Sequence, residues 1–126
     1  AYAIAVRRDA ILKANVTYSL LYGGGAKYSN GEDSLFLHDC LKKGLRIYAD
    51  TALLGKEVYR QSTWFSGYHE KFFLDRGVLY HDLYGCMAKL FSILFLWSNR
   101  KEMLTTINFR TAYGLMKQGI REGKLR

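Results

Sequence analysis

The sequence predicts a helix-rich α+β fold, and three observations carry that expectation. The stretch Gly31-Glu32-Asp33-Ser34-Leu35-Phe36-Leu37, running on to Lys42-Lys43-Gly44, bears helix signals at both ends. From Tyr68 onward apolar side chains recur at helical spacing. Short apolar or alternating runs at 2–6 and 45–49 have the length and pattern of strands.

In chain order, the apolar run at 2–6 stops at Arg7-Arg8-Asp9, and Asp9 starts a short helix through Lys13. Residues 15–22 form a mixed extended segment ended by Gly23-Gly24-Gly25. This glycine loop lacks a lysine and hydroxyl at the spacing a phosphate loop requires. In the helix that follows, Asn30 or Gly31 caps the start. Glu32 and Asp33 occupy the first turn, where the helix dipole favours negative charge; Lys42 and Lys43 occupy the last, and Gly44 ends it. Phe36 with Cys40 and Leu37 with Leu41 make i,i+4 apolar pairs. The two acids therefore head the buried stripe, where a carboxylate can face a cleft instead of bulk water. The strand at 45–49 leads through a turn at Asp50 to a second short strand at 51–54 and a polar loop at 55–60. Beyond it, Phe72, Phe73 and Val78 surround an expected break at Gly77. Leu79, Leu83, Met87, Leu90, Ile93, Leu94 and Trp97 then make one long amphipathic stripe. A last helix is expected over 101–117.

With 126 residues, 49% of them apolar and 15% aromatic, the chain has the composition of a folded domain rather than a disordered tail. Lys and Arg number 19 against 11 Asp and Glu, a net charge of +8. The excess is steepest from Arg100 onward, which suits an anionic surface: membrane lipid, nucleic acid or a phosphorylated substrate. Cys40 and Cys86 are far apart among apolar residues, so two reduced thiols in a cytosolic setting are expected. The early Arg7-Arg8-Asp9 excludes a signal peptide at the start. The run at 87–97, which contains Lys89, is too short to span a bilayer, leaving a core helix or an interfacial one. His38, His69 and His81 are not spaced as metal ligands.

Val6-Arg7-Arg8, the run from Gly23 through Leu37, Lys42-Lys43-Gly44-Leu45-Arg46-Ile47-Tyr48, Ser62-Thr63-Trp64-Phe65 and the segment from Gly67 through Phe73 together resemble the acceptor half of family-two bacterial glycosyltransferases with the GT-A fold. The resemblance covers residues 3 to 80. It implies a partial GT-A fold with few short strands and the acidic-motif helix over 1–66, followed by C-terminal amphipathic helices over 67–126. No Asp-x-Asp triplet occurs in the chain. The resemblance therefore implies a fragment without its donor-binding half, inactive alone. The parent's divalent metal, Mg or Mn, is expected outside this chain. The family's strand after the helix usually meets a proline where this chain has Asp50-Thr51. Its frequent histidine before the Ser-Thr pair is replaced by Tyr59-Arg60-Gln61.

In such an enzyme one carboxylate takes the proton of the acceptor hydroxyl as it attacks the anomeric carbon. The match assigns that role to Asp33, with Glu32 beside it; spacing alone would make both a helix start decorated with acids. Trp64 is either a platform for a sugar ring or a core tryptophan. Gln61 and Ser62 are candidates for acceptor hydroxyls or phosphate. Arg8, with Arg7, falls near the cleft in the family pattern, the other reading being a solvated edge. The implied partners are a nucleotide-sugar donor and a saccharide or lipid-linked acceptor, without nucleic acid. The implied setting is cytoplasmic and peripheral at the inner membrane face, the C-terminal helices touching it. A homo-oligomer is expected through the uncovered strands or the 83–97 stripe. The rival is a non-enzymatic basic helical module that binds anionic membrane or nucleic acid.

Overall fold

The computed structural model describes residues 4–51 and 67–126. Six α-helices make up the described chain: α1 (Arg8–Ala14), α2 (Glu32–Lys42), α3 (Glu70–Tyr84), α4 (Ala88–Ser98), α5 (Arg100–Met103) and α6 (Phe109–Lys124). A single 3-10 turn, Gly85–Met87, joins α3 to α4. The expected helix-rich fold is present. The strands are not: among the described residues the only β pairing is an isolated bridge between Tyr22 and Tyr28. Residues 4–6 and 45–49 carry no regular secondary structure and form no ladder. Alternation supplies the pattern of a strand, but a strand persists only where a second segment satisfies its backbone, and none does so among the described residues. The strand expected at 51–54 lies, beyond Thr51, outside the described residues.

The framework is the pair α3 and α6. Gly77 lies on Met116, Gly119 between Leu74 and Val78, and Gly123 on His81, so residue numbers rise together and the helices run in parallel. Gly77 is thus a contact inside α3, not the break expected there. A Cβ on it would fall within the Met116 backbone. The true end of α3 is Gly85, whose φ of 54° is one that L side chains rarely adopt. From there α4 folds back on α3, Phe95 meeting Tyr80 and Phe91 meeting Tyr84 at ring-centroid distances of 5.7 and 4.2 Å. The long stripe is therefore a hairpin of two helices rather than one. The last helix also starts later than expected, at Phe109, where Asn108 caps it by accepting from the Thr111 N–H at 2.8 Å.

Ala88, Ser92 and Leu96 turn the inner face of α4 into a core with Phe72, Phe73, Ala112 and Met116. A second cluster joins Tyr22, Tyr28 and Leu35 to Val78 and Leu79. The third holds α1 on α2 through Val16, Phe36 and Cys40. Leu41, expected on the buried stripe, is exposed.

Candidate functional site

Helix α2 begins as the sequence predicts. Gly31 precedes it at φ 117°, and its carbonyl accepts from the Leu35 N–H at 2.9 Å. Two constraints fix glycine there: the positive φ, and the Leu79 side chain, which would stand 2.7 Å from a Cβ. At the other end Gly44, at φ 78°, donates to the Leu41 carbonyl while the Leu45 N–H donates to Cys40, closing the helix. Glu32 and Asp33 stand in the first turn, both half-buried.

The loop before α2 is held by polar contacts reaching across the fold. The Tyr22 hydroxyl donates to Asp82 at 2.7 Å and the Tyr28 hydroxyl to Glu122 at 2.8 Å. Arg126 binds both oxygens of Asp82, and Lys27 pairs with Glu122 at 2.7 Å. Asp75, almost fully buried, accepts from the Ser29 N–H, the Ser29 hydroxyl and the Lys71 ammonium at 2.9, 2.8 and 2.6 Å. A buried carboxylate is tolerable only with such partners. Burial acts to raise the Asp82 pKa, but hydrogen bonds from Tyr22, Arg126 and His81 outweigh it and hold the carboxyl below its ordinary value. Glu122 is lowered by its bonds from Lys27 and Tyr28. The glycine loop is thereby pressed onto α2, with Gly23 against the Glu32 carboxyl group.

Asp33 accepts a hydrogen bond from the Tyr18 hydroxyl on Oδ1 at 3.3 Å. Tyr18 is placed for this by stacking on Phe36, with ring centroids 4.3 Å apart and planes within 5°. Burial, and then the Asp33 carboxylate, raise the Tyr18 pKa above the ordinary phenol value. The two acids line one wall of a cavity of about 460 Å³. Phe72 and Arg76 of α3 and Met103 of α5 complete it. Arg76 is sandwiched between rings, its guanidinium carbon 5.2 Å from the centroids of both Phe72 and Phe95.

The structure thus brings Glu32 and Asp33 to one cavity. Arg8 is exposed at the start of α1 and does not line it. The expected strand end at Arg7 and Arg8 is instead a helix start, with the Arg7 carbonyl accepting from Ala10 and Ile11. Trp64, Gln61 and Ser62 lie outside the described residues. Sequence reasoning missed Arg76 and Tyr18; the i,i+4 row Phe72, Arg76, Tyr80 is the one available signal for the arginine. Among the described residues no three His, Cys, Asp or Glu side chains converge as a metal site.

A larger groove, about 640 Å³, lies on the opposite flank of α2. The irregular segments at 4–7 and 45–48 line it together with Ile11, Phe36 and Cys40. The chain matches no family model, no curated protein and no solved structure.

Proposed function

We propose that the chain is the acceptor side of a nucleotide-sugar-dependent glycosyltransferase of the inverting type, working in cell-surface polysaccharide synthesis at the inner membrane face. The observation that carries this reading is the placement of Asp33: a carboxylate in the first turn of α2, half-buried, on the wall of a cavity large enough for a saccharide unit. The resemblance of the run from Gly23 through Tyr48 supports it.

In the reaction the acceptor hydroxyl oxygen forms its bond to the anomeric carbon as the bond to the nucleoside diphosphate breaks. The hydroxyl proton passes to the Asp33 carboxylate. The Tyr18 hydroxyl bond on Oδ1 orients that carboxylate and leaves Oδ2 for the acceptor. Glu32, braced on Gly23, borders the same cavity and is placed to hold a neighbouring acceptor hydroxyl. The donor, with Mg or Mn, belongs to a nucleotide-binding half beyond this chain. The isolated chain accordingly turns over no sugar nucleotide. In the complete enzyme, Asp33→Asn is expected to cut the transfer rate by at least ~100-fold with donor binding little changed. An unchanged rate removes Asp33 from the mechanism.

One observation favours a second reading, a basic helical module that docks on anionic membrane without chemistry. Helix α4 is apolar on both faces: Leu90, Ile93, Leu94 and Trp97 are exposed at i,i+3,i+4,i+7 spacing, with Lys89, Arg100 and Lys101 around them. Among the described residues no helix is long and apolar enough to cross a membrane. Peripheral contact through α4 serves the enzyme reading equally.

A further inference from the structure

Arg76 has no use in the mechanism above, and its surroundings are unusual for a cation. Its Nε is buried with no hydrogen-bond partner, and no carboxylate among the described residues pairs with the guanidinium. Burial pulls its pKa below the ordinary arginine value, while Tyr80, Tyr68 and Tyr84 act weakly the other way. Phe72 and Phe95 hold the guanidinium between their rings, and its Nε–H is left without a partner. Arg76 lines the same cavity as Glu32 and Asp33, from α3 rather than α2.

We infer that Arg76 binds an anionic group, phosphate or carboxylate, carried by the same saccharide whose hydroxyl faces Asp33. The hydroxyl half of this statement rests on the reading of Asp33 as base; the anion half rests on Arg76 alone. A guanidinium presents a planar fork of donors that matches either anion with two parallel hydrogen bonds, stronger in a partly dehydrated cavity than in water. The acids of α2 repel an anion placed beside them, so the ligand lies one way round: anion toward α3, hydroxyls toward α2. A neutral saccharide leaves the half-buried cation uncompensated and binds more weakly.

The test is binding of glucose 1-phosphate, glucuronate and neutral methyl glucoside to the 126-residue chain, followed by calorimetry and by the NMR resonance of the Arg76 Nε–H. At least one anionic sugar is expected to bind about 10-fold or more tighter than the neutral one, the tighter of the two naming the anionic group. Arg76→Gln should abolish the difference, and Arg76→Lys should retain part of it. Should Arg76→Gln fail to fold, the wild-type Nε–H resonance decides alone: a saturable shift with the anionic sugar supports the site. Equal binding of all three sugars, or an Nε–H signal unmoved by the anionic ones, overturns it. Anion binding is read on the isolated chain, whereas the base role of Asp33 is read in the transfer assay of the complete enzyme. Loss of the Asp33 assignment in the transfer assay and loss of the Arg76 site are therefore separate results.

Discussion

Gly119 of α6 rests directly on the α3 backbone, where an added methyl group would stand 2.0 Å from the Leu74 carbonyl oxygen and 2.9 Å from the Val78 nitrogen. Gly119→Ala must push the pair apart at the centre of the fold. Overpacking costs typically about 1–3 kcal/mol, which exceeds the ~1 kcal/mol that alanine gains over glycine in a helix. Net destabilisation of up to about 2 kcal/mol is expected in urea unfolding. Gly114, on the same helix with open space around it, is the control. Gly114→Ala should raise stability by up to ~1 kcal/mol. Equal effects at the two positions would show that helix propensity, not contact, governs α6.

Acid should loosen the loop before α2. Asp82 and Glu122 both have folded pKa values below their unfolded ones. Their contribution is therefore fully present above the ordinary carboxylate range, about pH 4, and is lost as the pH falls through the lowered folded values. Thermal unfolding of wild type against Asp82→Asn should show a gap at about pH 7 that closes toward about pH 2. A gap constant over that range refutes the assignment.

The outer stripe of α4 should seat on an anionic bilayer. The chain is expected to sediment with vesicles rich in phosphatidylserine at low salt, and weakly with phosphatidylcholine alone. Leu90→Glu with Leu94→Glu should reduce binding by about 10-fold or more, since burial is worth ~25 cal/mol per Å² and two charges are added besides. Binding unaffected by these changes would move the contact elsewhere, and a dimer that dissociates in the same variant would make α4 a self-association face instead.

The groove between 4–7 and 45–48 has no partner among the described residues, and its two sides carry irregular backbone outside any ladder. Such edges pair with another copy when nothing covers them. Light scattering at micromolar concentration should give a mass above the 14.5 kDa of one chain. Ile47→Lys, in the groove wall, should lower it toward that value. A single-chain mass for the wild type refutes this pairing.

The parts of the fold readable from sequence were those set by neighbours within a few residues. Helix α2 carries its own caps, so its start at Glu32, its end before Gly44 and the acids in its first turn could be read directly. Gly77 could not. Its meaning depends on Met116, far along the chain, whereas a local reading sees only a weak helix former. The hairpin turn at Gly85 was hidden because the apolar spacing continues through it. Strands failed for the complementary reason: a period of two is local, but the pairing that makes it a sheet is not. At the candidate site the same division holds. Asp33 and Glu32 belong to a capped helix, while the place of Arg76 depends on Phe95 from the next helix, and that of Tyr18 on Phe36 across a glycine loop.

The bond from Tyr28 to Glu122 joins residues 94 positions apart, and that span has a consequence in time. A ribosome adds residues at about 5–20 per second. The loop that presses on Glu32 therefore emerges roughly 5–20 s before the helix that anchors it exists. Through that interval the acidic helix has its caps but not its cavity, and the nascent site has no defined shape. The anchor is the last turn of α6, so the tether on the glycine loop arrives with the final residues of this stretch rather than accumulating along it.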